Sequence, residues 1–159
     1  MKAAILVTSD RIYRGEEQDR SGAAAAELLA ESAEVVETRV VPDEADLIEA
    51  VLLEWCSRGV SLVLTVGGTG LGPRDVTPEA TRRVVEREAP GVSTGLLVHG
   101  LDSTPRAMLS RATAGVRGAT LIVNLPGSTS AVRELVPYVM QIVPHALEVI
   151  GGAAEPYTE

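Results

Sequence analysis

The chain of 159 residues is 45% apolar and carries a formal net charge of −8, a length and composition that suit one globular domain with a full hydrophobic core and leave no basic surface to displace counterions from a nucleic-acid backbone. Its single cysteine, Cys56, excludes an internal disulfide and a multi-cysteine zinc site. No apolar run approaches the roughly 18 residues that span a membrane, and the opening MKAAILVTSDR is too poor in apolar residues for a signal peptide, so a cytoplasmic protein without nucleic-acid or membrane partners is expected.

Residues 3–8 (AAILVT) read as a short strand that ends at Ser9-Asp10-Arg11, and Asp19-Arg-Ser-Gly22 leads into an Ala/Leu-rich helix reaching about residue 32. A second strand, 35–41, stops at Pro42-Asp43. Ile48, Val51, Leu52 and Trp55 then recur at helical spacing, and Gly59 closes that helix. The run 60–66 (VSLVLTV) is apolar enough for a central parallel strand covered on both faces. After a glycine-rich loop, Thr77 and Pro78 read as N-cap and first position of a helix to about residue 88. Residues 91–118 are less regular, with a short helix and a turn-rich connection through Ser110-Arg111. A further buried strand, 119–125, ends in Pro126-Gly127-Ser128, and an apolar helical segment runs to Gly151, bent or broken near Pro137 or Pro144.

Strand–helix alternation of this kind predicts a single α/β domain, a sandwich over residues 1–152 with a mostly parallel sheet, followed by a frayed tail at 153–159. In such sheets ligands bind at the carboxyl ends of the strands. The loops at 9–11, 42–43, 67–75 and 126–128 all fall there, so they are expected to converge on one site.

The loop Thr65-Val-Gly-Gly-Thr-Gly-Leu-Gly-Pro-Arg-Asp-Val-Thr-Pro-Glu-Ala-Thr81 is the most informative stretch. It is no Walker A loop, because no lysine follows Lys2, and no dinucleotide fingerprint, because Pro73 intervenes before the helix. What remains is a run of amides open to an anion, followed by the carboxylate of Asp75, a combination that suits magnesium-assisted phosphate chemistry. The alternative is that these glycines only shape a tight turn.

GGTGLGPRDVTPEAT resembles the signature of the molybdopterin-binding family that includes bacterial MogA and MoaB proteins and the G domains of plant relatives and animal gephyrin. Ser9-Asp10-Arg11, Asp19-Arg-Ser-Gly22, Val41-Pro-Asp-Glu44, Met108-Leu-Ser-Arg111, Ala114-Gly-Val-Arg-Gly118 and Asn124-Leu-Pro-Gly-Ser128 follow in the family's order. The resemblance implies a three-layer α/β fold, commonly a homotrimer, that transfers AMP from Mg-ATP to the terminal phosphate of molybdopterin and releases diphosphate, the product passing to a molybdenum insertase. It implies that Asp43 and Asp75 are the acidic groups of adenylation, with Mg2+ as their metal. It places pterin or nucleotide contacts at Ser9, Asp10, Gly67, Gly68, Thr69, Gly70, Ser110, Pro126, Gly127 and Ser128. MogA and MoaB features are mixed in this chain.

Each site residue has a structural alternative. Asp43 stands where an N-cap of the following helix would stand, with Asp46 in its first turn. Asp75 has no such role if Thr77 is the cap. Ser21, with Gly22, either caps the first helix or faces an anion at its N-terminus. Arg74 and Arg111 are candidates to balance charge on a transferring phosphoryl group. His99 and His145 lack partners at metal-ligand spacing and read as structural. Three function classes are open: the adenylyltransferase, a pterin-binding or scaffold module without turnover, and a phosphotransfer enzyme of the CinA kind, against which the intact RDVTPEAT run argues. The last helical segment, apolar on more than one face through Leu135, Val136, Val139, Ile142, Val143, Leu147 and Ile150, is expected to bury surface against another chain.

Overall fold

The computed structural model describes residues 1–153. In chain order the elements are β1 (Lys2–Thr8), α1 (Asp10–Tyr13), α2 (Ser21–Leu29), β2 (Glu34–Val41), α3 (Ala45–Ser57), β3 (Leu62–Val66), α4 (Thr77–Val84), β4 (Arg87–Glu88), α5 (Pro90–Ser103), a 3₁₀ helix (Pro105–Leu109), β5 (Ala114–Arg117), β6 (Thr120–Leu125), α6 (Thr129–Met140) and α7 (Val143–Ile150). The strands form a six-stranded sheet in the order β2-β1-β3-β6-β5-β4. β2, β1, β3 and β6 are parallel, and β5 runs antiparallel to both of its neighbours.

Alternation along β1 explains the layers. Ala3, Ile5 and Val7 face one side, where α2, α5, α6 and α7 pack through Ala25, Leu29, Leu96, Val132, Val136 and Val143. Ala4 and Leu6 face the other, where α3 and α4 contribute Ile48, Leu52, Trp55, Ala80 and Val84. Period-two side chains thus supply two cores to one sheet, giving three layers as expected. Burying each large aliphatic side chain contributes roughly 1.5–3 kcal/mol, and the central strands are apolar throughout because both faces are covered.

Several details differ from the sequence reading. Residues 90–103 form a full helix, α5, in which Leu96 is the one fully covered side chain. The expected helix to residue 88 stops at Val84, since Arg87 and Glu88 pair with β5. The last helical segment breaks at Gln141 and Ile142, where Pro144 opens α7, while Pro137 sits inside α6. Its apolar faces are used within this chain: Leu135, Val136, Val139 and Val143 are buried, Leu147 and Ile150 pack against the same core, and Ile142 is exposed. Packing within the chain thus accounts for most of the apolar face on which an interchain role was expected. Exposed large apolar side chains include Val98, Leu101, Met108 and Leu109 on α5 and the 3₁₀ helix, besides Tyr13, Leu47 and Leu71 elsewhere. Gly59 does close α3, with φ +73°. The expected tail, from residue 154 onward, lies outside the described residues. Among the described residues no helix is long and apolar enough to cross a membrane.

Candidate functional site

β1, β2, β3 and β6 end at Thr8, Val41, Val66 and Leu125, and their parallel register brings the four following loops together at one edge of the sheet. Ser9 caps the one-turn helix α1, its Oγ accepting from the Ile12 amide at 3.3 Å. Beside it, two aspartates from separate loops exchange bonds. The Asp10 amide donates to Asp43 Oδ2 at 2.9 Å, and the Asp43 amide to Asp10 Oδ1 at 3.1 Å. Arg74 grips Asp10 in a fork, Nε to Oδ2 at 2.9 Å and Nη2 to Oδ1 at 3.0 Å.

Asp43 is therefore no helix cap: Glu44 holds that position in α3, without a side-chain bond. Its second oxygen, Oδ1, is buried and has no hydrogen-bond partner. Burial pushes the Asp43 carboxyl above its ordinary range, the Asp10 backbone bond opposes this, and the charges of Asp10 and Asp75 add to the rise. Asp10 is held below its ordinary range, chiefly by the Arg74 hydrogen bonds. A buried carboxylate oxygen left unpaired beside two other acids is costly. Such a group attracts a cation.

Asp75 is no helix cap, as the sequence reading has it, but it does have a structural task. Its Oδ2 accepts from the Gly72 amide at 2.8 Å, closing the turn. Thr77, in turn, is not a cap. Val76 occupies the N-cap position, and the buried Thr77 hydroxyl bonds to Thr8 Oγ1 at 2.9 Å. Glycine is required where the loop leaves β3. Gly67 and Gly68 have φ of +104° and +61°; a Cβ on Gly68 would stand 2.3 Å from Thr77 Oγ1 and 3.1 Å from Asp43 Oδ1. Gly70 and Gly72 leave room for the Asp75 carboxylate, which a Cβ on either would meet within 3.0 Å. So the glycines do shape the turn. The same conformation leaves the amides of Gly68, Thr69 and Gly70 without an acceptor among the described residues, whereas the Gly67 amide bonds to Leu125 O. Turn and anion cradle are compatible roles.

Arg111 braces this loop. Its Nε donates to Gly70 O at 2.7 Å, Nη2 to Asp75 O at 2.6 Å, and the guanidinium pairs with Glu79. All three of its nitrogens are committed to the protein, whereas Arg74 commits Nε and Nη2 to Asp10. Ser21 does not cap α2 either: Asp19 Oδ1 accepts from the Gly22 amide at 2.7 Å, and Gly22 lets the helix approach Val7, which a Cβ would meet at 2.5 Å.

Two clefts open over these loops. One, of about 460 Å³, is polar and lined by Ser9, Ser21, Asp43, Gly67 and Thr129. The other, of about 510 Å³, has Thr69, Gly70, Ser110, Pro126 and the leucines 96, 97, 109 and 135 in its walls. Gly68, Asp75, Gly127 and Ser128 line both. The structure thus brings most of the expected residues together, while Asp10, Gly22 and Arg111 line neither cleft. Thr8, Gln18 and Arg20 in the polar cleft, and Thr94, Thr104, Arg106 and Glu134 in the other, were missed. Arg20 stands within the DRSG motif, a usable signal. α5 offered none. His99 stacks on Tyr138, ring centroids 4.0 Å apart, in keeping with a structural histidine.

Among known proteins, the family model described as "Probable molybdopterin binding domain" matches residues 4–145. The chain is 39% identical over 152 residues to the molybdopterin adenylyltransferase of Helicobacter pylori strain J99, covering 93% of this chain and 86% of that protein. It is 41% identical over 150 residues to the molybdenum cofactor synthesis protein cinnamon of Drosophila melanogaster; 92% of this chain is covered but 25% of that protein, and a Dictyostelium discoideum gephyrin is matched over 22% of its length. The chain thus spans about a quarter of those two relatives. The crystal structure of the molybdopterin biosynthesis enzyme MoaB from Thermus thermophilus superposes with a TM-score of 0.89 at 48% identity, covering 99% of both chains.

Proposed function

The chain belongs to the molybdopterin-binding family that includes MogA and MoaB, and we propose that within it the protein is a molybdopterin adenylyltransferase. The observation that carries this is the shared wall of the two clefts: two substrates seated one in each would meet at Gly68, Asp75, Gly127 and Ser128. A terminal phosphate oxygen of molybdopterin would attack the α-phosphorus of ATP, forming the new P–O bond while the bond to the bridging oxygen breaks and diphosphate leaves. Such a reaction needs no protein nucleophile. Alignment and charge neutralisation supply its rate.

The chain's residues suit those tasks. The unpaired amides of Gly68, Thr69 and Gly70 can donate to phosphate oxygens at the junction, and the Ser128 hydroxyl lies on the same wall. Among the described residues no group of three or more His, Cys, Asp and Glu side chains is arranged to hold a metal. Magnesium, usually held by one or two carboxylates together with phosphates, nevertheless fits the orphaned Asp43 Oδ1 and nearby Asp75. Bound there, it would neutralise charge on the phosphates. Asp10 and Arg74 act one step back: Arg74 grips Asp10, which accepts from the Asp43 amide and donates its own amide to Oδ2, so that Oδ1 is the oxygen left over.

Incubation with molybdopterin and Mg-ATP should yield adenylated pterin and diphosphate, the form for hand-over to a molybdenum insertase. A folded protein that binds molybdopterin yet makes no product would be a non-catalytic binding or scaffold protein. The homotrimer belongs to the same proposal; a monomer in light scattering would remove it.

A further inference from the structure

In so acidic a chain most cations have a carboxylate partner. Among the described residues Lys2, Arg20, Arg87 and Arg106 make no ion pair. Lys2 begins β1, at the opposite end of the sheet from the site, and Arg87 lies on the edge strand β4. The other two line the clefts, Arg20 the polar one and Arg106 the less polar one. Arg20 also accepts no local employment: it occupies the N-cap position of α2 without a side-chain hydrogen bond, and Asp19 does the capping. Arg20 is exposed and lines the same cleft as Glu17 and Asp43, and its guanidinium, without an ion-pair partner among the described residues, has donors to offer a ligand there.

We infer that Arg20 binds the polyphosphate chain of the nucleotide in the polar cleft. Resting on the nucleotidyl-transfer reading for the ligand's identity, the assignment follows from how the clefts differ. Ser9, Ser21 and Thr129 offer hydroxyls in the polar cleft, and Asp43 would hold the cation that accompanies a triphosphate. Leu96, Leu97 and Leu109 make the other cleft a better wall for a flat ring. Arg74 and Arg111, the arginines suggested by sequence for phosphate, line neither cleft; Arg74 forks onto Asp10 and Arg111 braces the loop. Arg20 is the polar cleft's remaining cation.

The test is calorimetric titration of the whole protein with Mg-ATP and, separately, with adenosine. Arg20→Gln should weaken Mg-ATP binding about tenfold, Arg20→Lys less, because a bidentate charge-assisted contact is lost while the rest of the nucleotide is held as before. Adenosine affinity and melting temperature should not move, since the Arg20 side chain makes no bond within the fold. Wild-type Mg-ATP affinity in Arg20→Gln, an equal loss for adenosine, or a wild-type protein that binds no Mg-ATP would each overturn the assignment. Mg-ATP bound through Arg20 with no adenylated pterin formed would overturn the adenylyl-transfer reading alone.

Discussion

Two charged clusters in this molecule are both built from arginines and carboxylates and end in opposite states. In the first, on β2 and α3, Arg39 and Arg58 face Glu37 and Glu54. Arg39 forks onto Glu54 at 2.7 and 3.1 Å, and Arg58 reaches both acids at 2.8 Å. Glu37 also accepts from the buried Trp55 indole at 3.1 Å, and Arg39 lies over its ring. Two cations answer two acids. The acids accordingly stay ionised: the Arg39 and Arg58 bonds hold Glu54 down to about 2, and Glu37 is lowered against the opposing effect of burial. In the second cluster one committed arginine, Arg74, stands among Asp10, Asp43 and Asp75, and Asp43 keeps a buried oxygen with no partner. The comparison separates charge satisfied within the fold from charge that the fold leaves without a partner.

The largest expected effect comes from removing that unpartnered charge. Asp43→Asn preserves shape and can still accept the Asp10 amide through its carbonyl oxygen, so the protein should fold. It should lose turnover by about 10²–10³-fold, the scale of deleting one electrostatic stabiliser of a transition state. Asp75→Asn should behave alike, since its amide oxygen can accept from Gly72 and keep the turn. Melting curves and adenylated-pterin assays on both variants decide this, and wild-type turnover in either would dissolve the contrast between the clusters.

Gly68→Val should act through the fold instead. At φ +61° a branched side chain is strained, and its Cβ would collide with Thr77 and Thr8. Together these cost roughly 3 kcal/mol or more. Denaturant unfolding measures it, and a stable Gly68→Val protein would show that the loop can move aside.

What the sequence made legible was chemistry written in adjacent residues. The four loops lie where strand ends predict, and the glycine–Asp75 run is at the centre of the site. What it hid was decided between residues far apart. Thr77 looks like a cap until Thr8, 69 residues away, takes its hydroxyl. Asp43 looks like one too, until the fold sets Asp10 against it across 33 residues. α5 was hidden for another reason. Gly91, Gly95 and Gly100 lower its helix propensity, and one buried leucine writes no stripe.

A smaller effect should follow in the balanced cluster. Glu37→Ala removes the acceptor of the Trp55 indole and the shared partner of Arg39 and Arg58. Stability should fall by about 1–2 kcal/mol, mostly from the unsatisfied buried donor rather than from the ion pairs, which are partly exposed. Turnover per folded molecule should not change. A loss of turnover at full occupancy of the folded state would mean that the two clusters are coupled through β2.

The smallest effect is a shift in pH dependence. If the Asp43 carboxylate must be ionised to receive a cation, the acid limb of kcat/KM falls at a higher pH than an ordinary aspartate would give, because burial and the charges of Asp10 and Asp75 raise its pKa. Asp10→Asn deletes one of those negative charges and frees the positive charge of Arg74, which acts to lower the Asp43 pKa. Both changes have the same sign, so the acid limb should move to lower pH. Stability should respond in the opposite region. Asp10 has a depressed pKa, so its contribution is present above the ordinary aspartate range and lost as pH falls through its lowered value. The variant should therefore melt lower than wild type at neutral pH and approach it in strong acid. An acid limb that stays in place, or moves up, would show that the ionisation limiting activity belongs to a group other than Asp43.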